Sequence, residues 1–148
     1  EYTFNRYIPD RGRKPQPDEG APRTSCPQGL SRKAWISVKT KSSAIRELFE
    51  ELGVHAKAED FVYCGTRRVV YDGEFCGKLF HDRQVSKVFY LWFDADESAF
   101  NIDPAEVDHV LWMNLDACID GVRHNTFPHC IEMDELEILC SGLKVDFA

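Results

Sequence analysis

The stretch SAIRELFEELG at Ser43–Gly53 constrains the fold more than any other part of the chain. On a helix, Ile45, Leu48, Phe49 and Leu52 recur at i, i+3, i+4 and i+7 and form one apolar stripe. Glu47, Glu50 and Glu51 stand at i, i+3 and i+4 on another face, where three carboxylates repel one another. Such a face is either solvated surface or a cation site, since carboxylate oxygens are the natural ligands of Mg²⁺ and Mn²⁺. Arg46 is spaced to pair with Glu50 one turn on. Gly53 sits where a helix ends on a left-handed residue, and Ser42 or Ser43 is the expected N-cap.

Arg46-Glu47-Leu48-Phe49-Glu50-Glu51-Leu52-Gly53-Val54 resembles the second half of the Nudix box, R-E-U-x-E-E-x-G-U with U apolar. The full box begins G-x5-E-x7 before that Arg. Counting back puts its Gly at Arg32 and its first Glu at Val38, so the first half does not match. Further on, Glu106-Val107 and Leu111-Trp112-Met113 resemble a late strand of the same family.

The resemblance implies an α/β (α+β) fold, a Nudix-like mixed β-sheet sandwiched between helices. It covers about residues 35–143. It also implies hydrolysis of a nucleoside diphosphate derivative or related diphosphate with Mg²⁺ or Mn²⁺. The metal ligands would be Glu47, Glu50 and Glu51. Arg46 would orient the glutamates, and Glu47 would double as ligand or helper base. A further base would come from Glu106, Asp82, Asp103 or Glu97, the first two preferred. A second reading is a Nudix-fold module that binds a ligand or partner without catalysis. A third is the isopentenyl-diphosphate isomerase branch of the superfamily. In that branch an E-x-E metal pair would fall on Asp82 and Gln84, and Cys26-Pro27 would stand near its catalytic cysteine.

The chain has 148 residues, one domain's worth, and 43% of them are hydrophobic. Net charge is −7, unevenly spread: residues 1–43 carry +5 and residues 44–148 carry −12. An acidic main domain does not read as a nucleic-acid surface. No apolar run is long enough to span a bilayer, and the start of the chain has no signal-peptide core, so the expected location is cytoplasmic. The expected partner is a small-molecule diphosphate, with a homodimer admitted and neither nucleic acid nor membrane expected. Six cysteines form no CxxC pair, which argues against structural zinc, and most read as small buried apolar residues.

Five of seven prolines lie between Pro9 and Pro27, and residues 1–34 read as an irregular, basic, Pro-rich segment before a domain at 35–148. Tyr2–Phe4 and Trp35–Val38 are possible short strands. Phe61–Cys64, Thr66–Asp72 and Phe75–Phe80 read as strands, with a hairpin turn at Asp72-Gly73. Arg67 and Arg68 on this hairpin are either solvated or suited to a substrate phosphate, and Asp82 near its end is expected among the substrate-binding residues. Gln84–Phe93 is the clearest strand, apolar on both faces in its second half and so covered on both sides. Glu106–Met113 reads as a strand and Leu115–Val122 as a short helix. Asp134–Leu143 reads as a C-terminal helix, Asp134 its N-cap and Leu136, Leu139 and Leu143 inward. The five histidines include no i, i+4 pair, and His81-Asp82 reads as a surface turn or an acid–base pair. No P-loop, dinucleotide fingerprint or nucleophile elbow occurs.

Overall fold

The computed structural model describes residues 2–6, 32–75, 77–93, 95–107 and 110–147. It is a mixed α/β structure. Five strands, β1 (Tyr2–Arg6), β2 (Arg32–Val38), β3 (Val62–Phe75), β4 (Lys78–Trp92) and β5 (Val110–Asn114), form one sheet in the order β3-β4-β2-β1-β5. β1 and β2 run parallel and the other pairings are antiparallel. Three helices, α1 (Lys41–Leu52), α2 (Leu115–His124) and α3 (Met133–Leu143), cover it.

The period-two alternation of β2 and β4 divides the core. Ala34, Ile36, Phe89 and Leu91 face α1, meeting Ala44, Leu48 and Leu52 with Val54, Phe61, Val107 and Trp112. Trp35 and Val88 face the other way, against Cys118, Ile119 and Val122 of α2 and Leu136, Leu139 and Cys140 of α3. Val88–Leu91 of β4 is thus covered on both sides, as its double-faced apolar pattern requires, while Trp92 at its end is exposed. On the α3 side, Trp35 Nε1 donates a 2.8 Å hydrogen bond to Glu135 Oε1. Burial pushes the Glu135 carboxyl above its ordinary value, while that bond and the Arg67 charge pull the other way. Cys118 and Cys140 are buried as expected, but Cys64 is half-buried and Cys130 exposed.

Several local expectations change. α1 begins at Lys41, so its cap is Thr40, whose Oγ1 accepts the Ser43 N–H at 3.1 Å, and not Ser42 or Ser43. Phe49 is half exposed, stacking on His55 instead of entering the core, and Ala44 takes its place. β3 runs unbroken through Gly65, a bulge between Tyr63 and Gly65 absorbing the irregularity. The hairpin does not turn at Asp72-Gly73. Asp72 pairs in the ladder with His81, their side chains bonded at 2.7 Å, and the chain reverses before Lys78, where Gly77 supplies a φ of +74°. The Glu106–Met113 strand begins only at Val110, because Pro104–Glu106 form a turn. Glu132, not Asp134, precedes α3 as its cap residue, and Asp134 turns to Arg67. Within the supposedly irregular residues 1–34, Tyr2–Arg6 and Arg32–Ala34 are strand and belong to the sheet. The Pro-rich stretch 9–29 lies outside the described residues. Among the described residues, no helix is long and apolar enough to cross a membrane.

Candidate functional site

The site grows from the end of α1. Gly53 adopts φ +67°, and its N–H bonds to the Phe49 carbonyl at 2.9 Å while Val54 N–H reaches Leu48 at 3.1 Å. The next two carbonyls are taken from outside the helix. Asn101 N–H bonds to Leu52 O at 2.9 Å and Asp103 N–H to Glu51 O at 2.8 Å. Gly53 permits this approach, since a Cβ there would lie 2.8 Å from Asn101 Cβ. Asp103 Oδ1 then accepts from Ala105 N–H at 2.9 Å, and Val107 N–H closes on Asp103 O at 2.8 Å. This tight turn carries Glu106 back over the helix.

The result is an open pocket of about 500 Å³ lined by Arg46, Glu47, Glu50, Glu51, Asp103 and Glu106. Five of the six side chains are carboxylates. Glu51 is 8% exposed, Glu47 partly exposed and Glu50 exposed. Arg46 approaches Glu50 at 3.9 Å and Glu47 at 4.0 Å, the i, i+4 pairing its spacing predicts. These are loose contacts on an exposed side chain, so they orient more than they neutralise.

The helix field adds to the charge problem. A helix favours cations at its C-terminal end. α1 has no basic residue in its last turn, and Glu50 and Glu51 lie there with Asp103 and Glu106 docked beside them. The donor set suits a hard divalent cation, being oxygen throughout, with neither sulfur nor imidazole. Among the described residues, no group of three or more His, Cys, Asp or Glu is placed to hold a metal directly. That arrangement still fits Mg²⁺, which dehydrates reluctantly and is commonly held by one or two carboxylates plus waters and substrate phosphates.

Of the expected site residues, the pocket gathers Arg46, Glu47, Glu50, Glu51 and Glu106, together with Asp103, which the sequence ranked below Asp82. Asp82, Arg67 and Arg68 stand elsewhere. Arg67 Nε bonds both Asp134 oxygens, at 2.7 and 2.8 Å, clamping β3 to the start of α3. Arg68 is exposed on the hairpin. Asp82 accepts from Gln84 Nε2 across two residues of β4, so the pair that the isomerase reading needs is bonded to itself outside the pocket. Its Cys26-Pro27 lies outside the described residues. Glu97, another candidate base, accepts the Trp112 N–H at 2.7 Å and anchors β5. The positions where the box would have Gly and Glu are both on β2. Val38 is buried in the core. The Arg32 guanidinium donates to Ala95 O at 2.7 Å and pairs with Asp96 at 2.9 Å. A strand therefore stands where the resemblance implies a loop.

No protein-family model, curated protein or solved structure matches this chain.

Proposed function

We propose that this protein hydrolyses a soluble diphosphate derivative with Mg²⁺ or Mn²⁺, on a Nudix-like fold. The observation that carries the reading is the convergence of five carboxylates and one guanidinium on a single open pocket at the C-terminal end of α1. One or two of Glu47, Glu50 and Glu51 would hold the ion directly and the rest through bound water, which completes the shell. When bound, the ion would neutralise diphosphate charge and lower the pKa of the attacking water. Glu106 and Asp103 lie across the pocket from the helix glutamates and are the candidates to take that water's proton. As the water oxygen bonds to phosphorus, the bridging oxygen leaves with its electron pair. Arg46, already drawn to Glu47 and Glu50, holds the two carboxylates over the pocket. The substrate is read as a small diphosphate because the pocket is open and polar rather than a deep apolar slot.

One observation favours a second reading, a ligand-binding module without turnover. β2 stands where the resemblance implies the loop that would complete the site. The test separates the two. Wild type and Glu51→Gln are incubated with a panel of nucleoside diphosphate derivatives in Mg²⁺ or Mn²⁺, and released phosphate groups are measured. Metal-dependent release that is lost in Glu51→Gln supports hydrolysis. A folded wild type that binds Mn²⁺ but releases nothing supports the binding module instead.

A further inference from the structure

The far half of the β3–β4 hairpin is a two-stranded ribbon standing clear of the sheet. Among the described residues, β4 pairs with β2 only from Lys87 to Trp92, so Lys78–Ser86 pairs there with β3 alone, along Arg67–Phe75. That is about 30 Å of ribbon at 3.3 Å per residue. A two-stranded ribbon is at best marginally stable in water without a third strand or a covering layer. This one also exposes apolar side chains: Val70 at 61%, Tyr71 at 56%, Leu79 at 81% and Val85 at 46%. In the sheet of the described residues β3 is an edge strand, with no proline and its only bulge back at Tyr63/Gly65. Among the described residues the ribbon edge thus lacks a proline, a bulge or a covering strand, and its charges, Arg68, Asp72 and Glu74, are of both signs.

We propose that the β3 edge pairs antiparallel with the β3 edge of a second copy of this chain, making a continuous four-stranded β4-β3-β3-β4 ribbon. The sequence along the edge selects that occupant because its charge is self-complementary. Arg68 lies on one side of Val70 and Asp72 on the other, at equal spacing. In an antiparallel pair about a two-fold axis perpendicular to the sheet, opposed residues must share a face. Centring the axis on Val70 meets this rule. Val70 then faces Val70 of the second copy, and Arg68 of each copy faces Asp72 of the other. On the opposite face, each Tyr71 meets Val69. Shifting the pairing by two residues one way sets Val70 against Arg68, and the other way sets Arg68 against Glu74 but Val70 against the Asp72 carboxylate; the Val70-centred register pairs the charges and the valines together. Asp72 already accepts from His81 on the same face, and a carboxylate has acceptor capacity for both. Among the described residues Arg68 has no ion-pair partner within its own chain, and Arg67, held by Asp134, keeps the base of the ribbon in place. The proposal stands independently of the pocket chemistry.

The test is sedimentation velocity of the full chain across a concentration series, with circular dichroism to confirm folding. Wild type should dimerise. Arg68→Asp and Asp72→Arg, each setting like charges opposed twice per dimer, should each weaken dimerisation about tenfold or more. The double variant R68D/D72R restores opposite charges in swapped positions and should recover dimerisation. Val70→Lys should abolish it. A wild type that stays monomeric, a ladder of higher oligomers, or a dimer indifferent to these changes would overturn the proposal. So would a double variant as weak as the two single ones.

Discussion

Glu51 is the buried member of the helix carboxylates, held between the core of α1 and the 101–107 turn that bonds its backbone oxygen. It is the least solvated of the three helix glutamates. Glu51→Gln keeps the shape and removes the charge. Activity should fall about 100-fold or more, beyond the 10–100-fold typical of groups one step removed from the ion, with the melting temperature unchanged or raised. Arg67 and Arg68 give the contrasting outcome. Arg67→Ala should lower stability, measured by urea denaturation, because it breaks the bidentate contact to Asp134, and should leave KM for the diphosphate unchanged. Glu135 supplies a pH prediction. Its carboxyl holds a proton more tightly when folded, chiefly through burial. Between the ordinary value of 4.5 and the raised one, the folded state therefore binds more protons than the unfolded chain, and this contribution to stability is lost as pH rises. Glu135→Gln should flatten the fall in urea midpoint above pH 4.5 while Trp35 keeps an oxygen acceptor. An unchanged slope would show that the raised carboxyl is not its source.

At the scale of elements, what was legible in the sequence was local. The α1 stripe, the left-handed Gly53 and the Arg46–Glu50 pair all depend on residues within one or two turns; the last two are found, and the stripe is found apart from Phe49. The helices expected at Leu115–Val122 and Asp134–Leu143 are found for the same reason, slightly longer, at Leu115–His124 and Met133–Leu143. The misplaced hairpin turn shows the limit. Asp72-Gly73 has turn chemistry, but the ladder partner His81 outweighs it, and a ladder is not local information. The same holds for the site. Nothing between Glu51 and Asp103 announces that their backbones meet, so Asp103 and Asp82 could not be ranked from spacing. Gly53→Ala tests this joint. A left-handed non-glycine residue costs about 1–2 kcal/mol, and its Cβ would also press on Asn101. The variant should lose at least that much stability by denaturant titration. It should also lose metal affinity, because the turn bearing Asp103 and Glu106 is pushed off the helix. A stability loss with metal affinity intact would separate the turn from the site.

Across the whole molecule, the two-faced pattern of β4 foretold a sheet covered on both sides, and the two clusters around Phe89 and Val88 realise it. Strand order was not foretold, because β1 reaches its place beside β5 through pairings with Val110–Asn114, more than a hundred residues on. The sheet and helices set five carboxylates at the end of one helix whose own field disfavours them, an arrangement that a divalent cation relieves. The most direct test is Mn²⁺ titration followed by electron paramagnetic resonance, in wild type, Glu51→Gln and Asp82→Asn. The account predicts saturable binding in wild type and Asp82→Asn and its loss in Glu51→Gln. Wild type that binds no Mn²⁺, or a Glu51→Gln variant that binds as well as wild type, would contradict it.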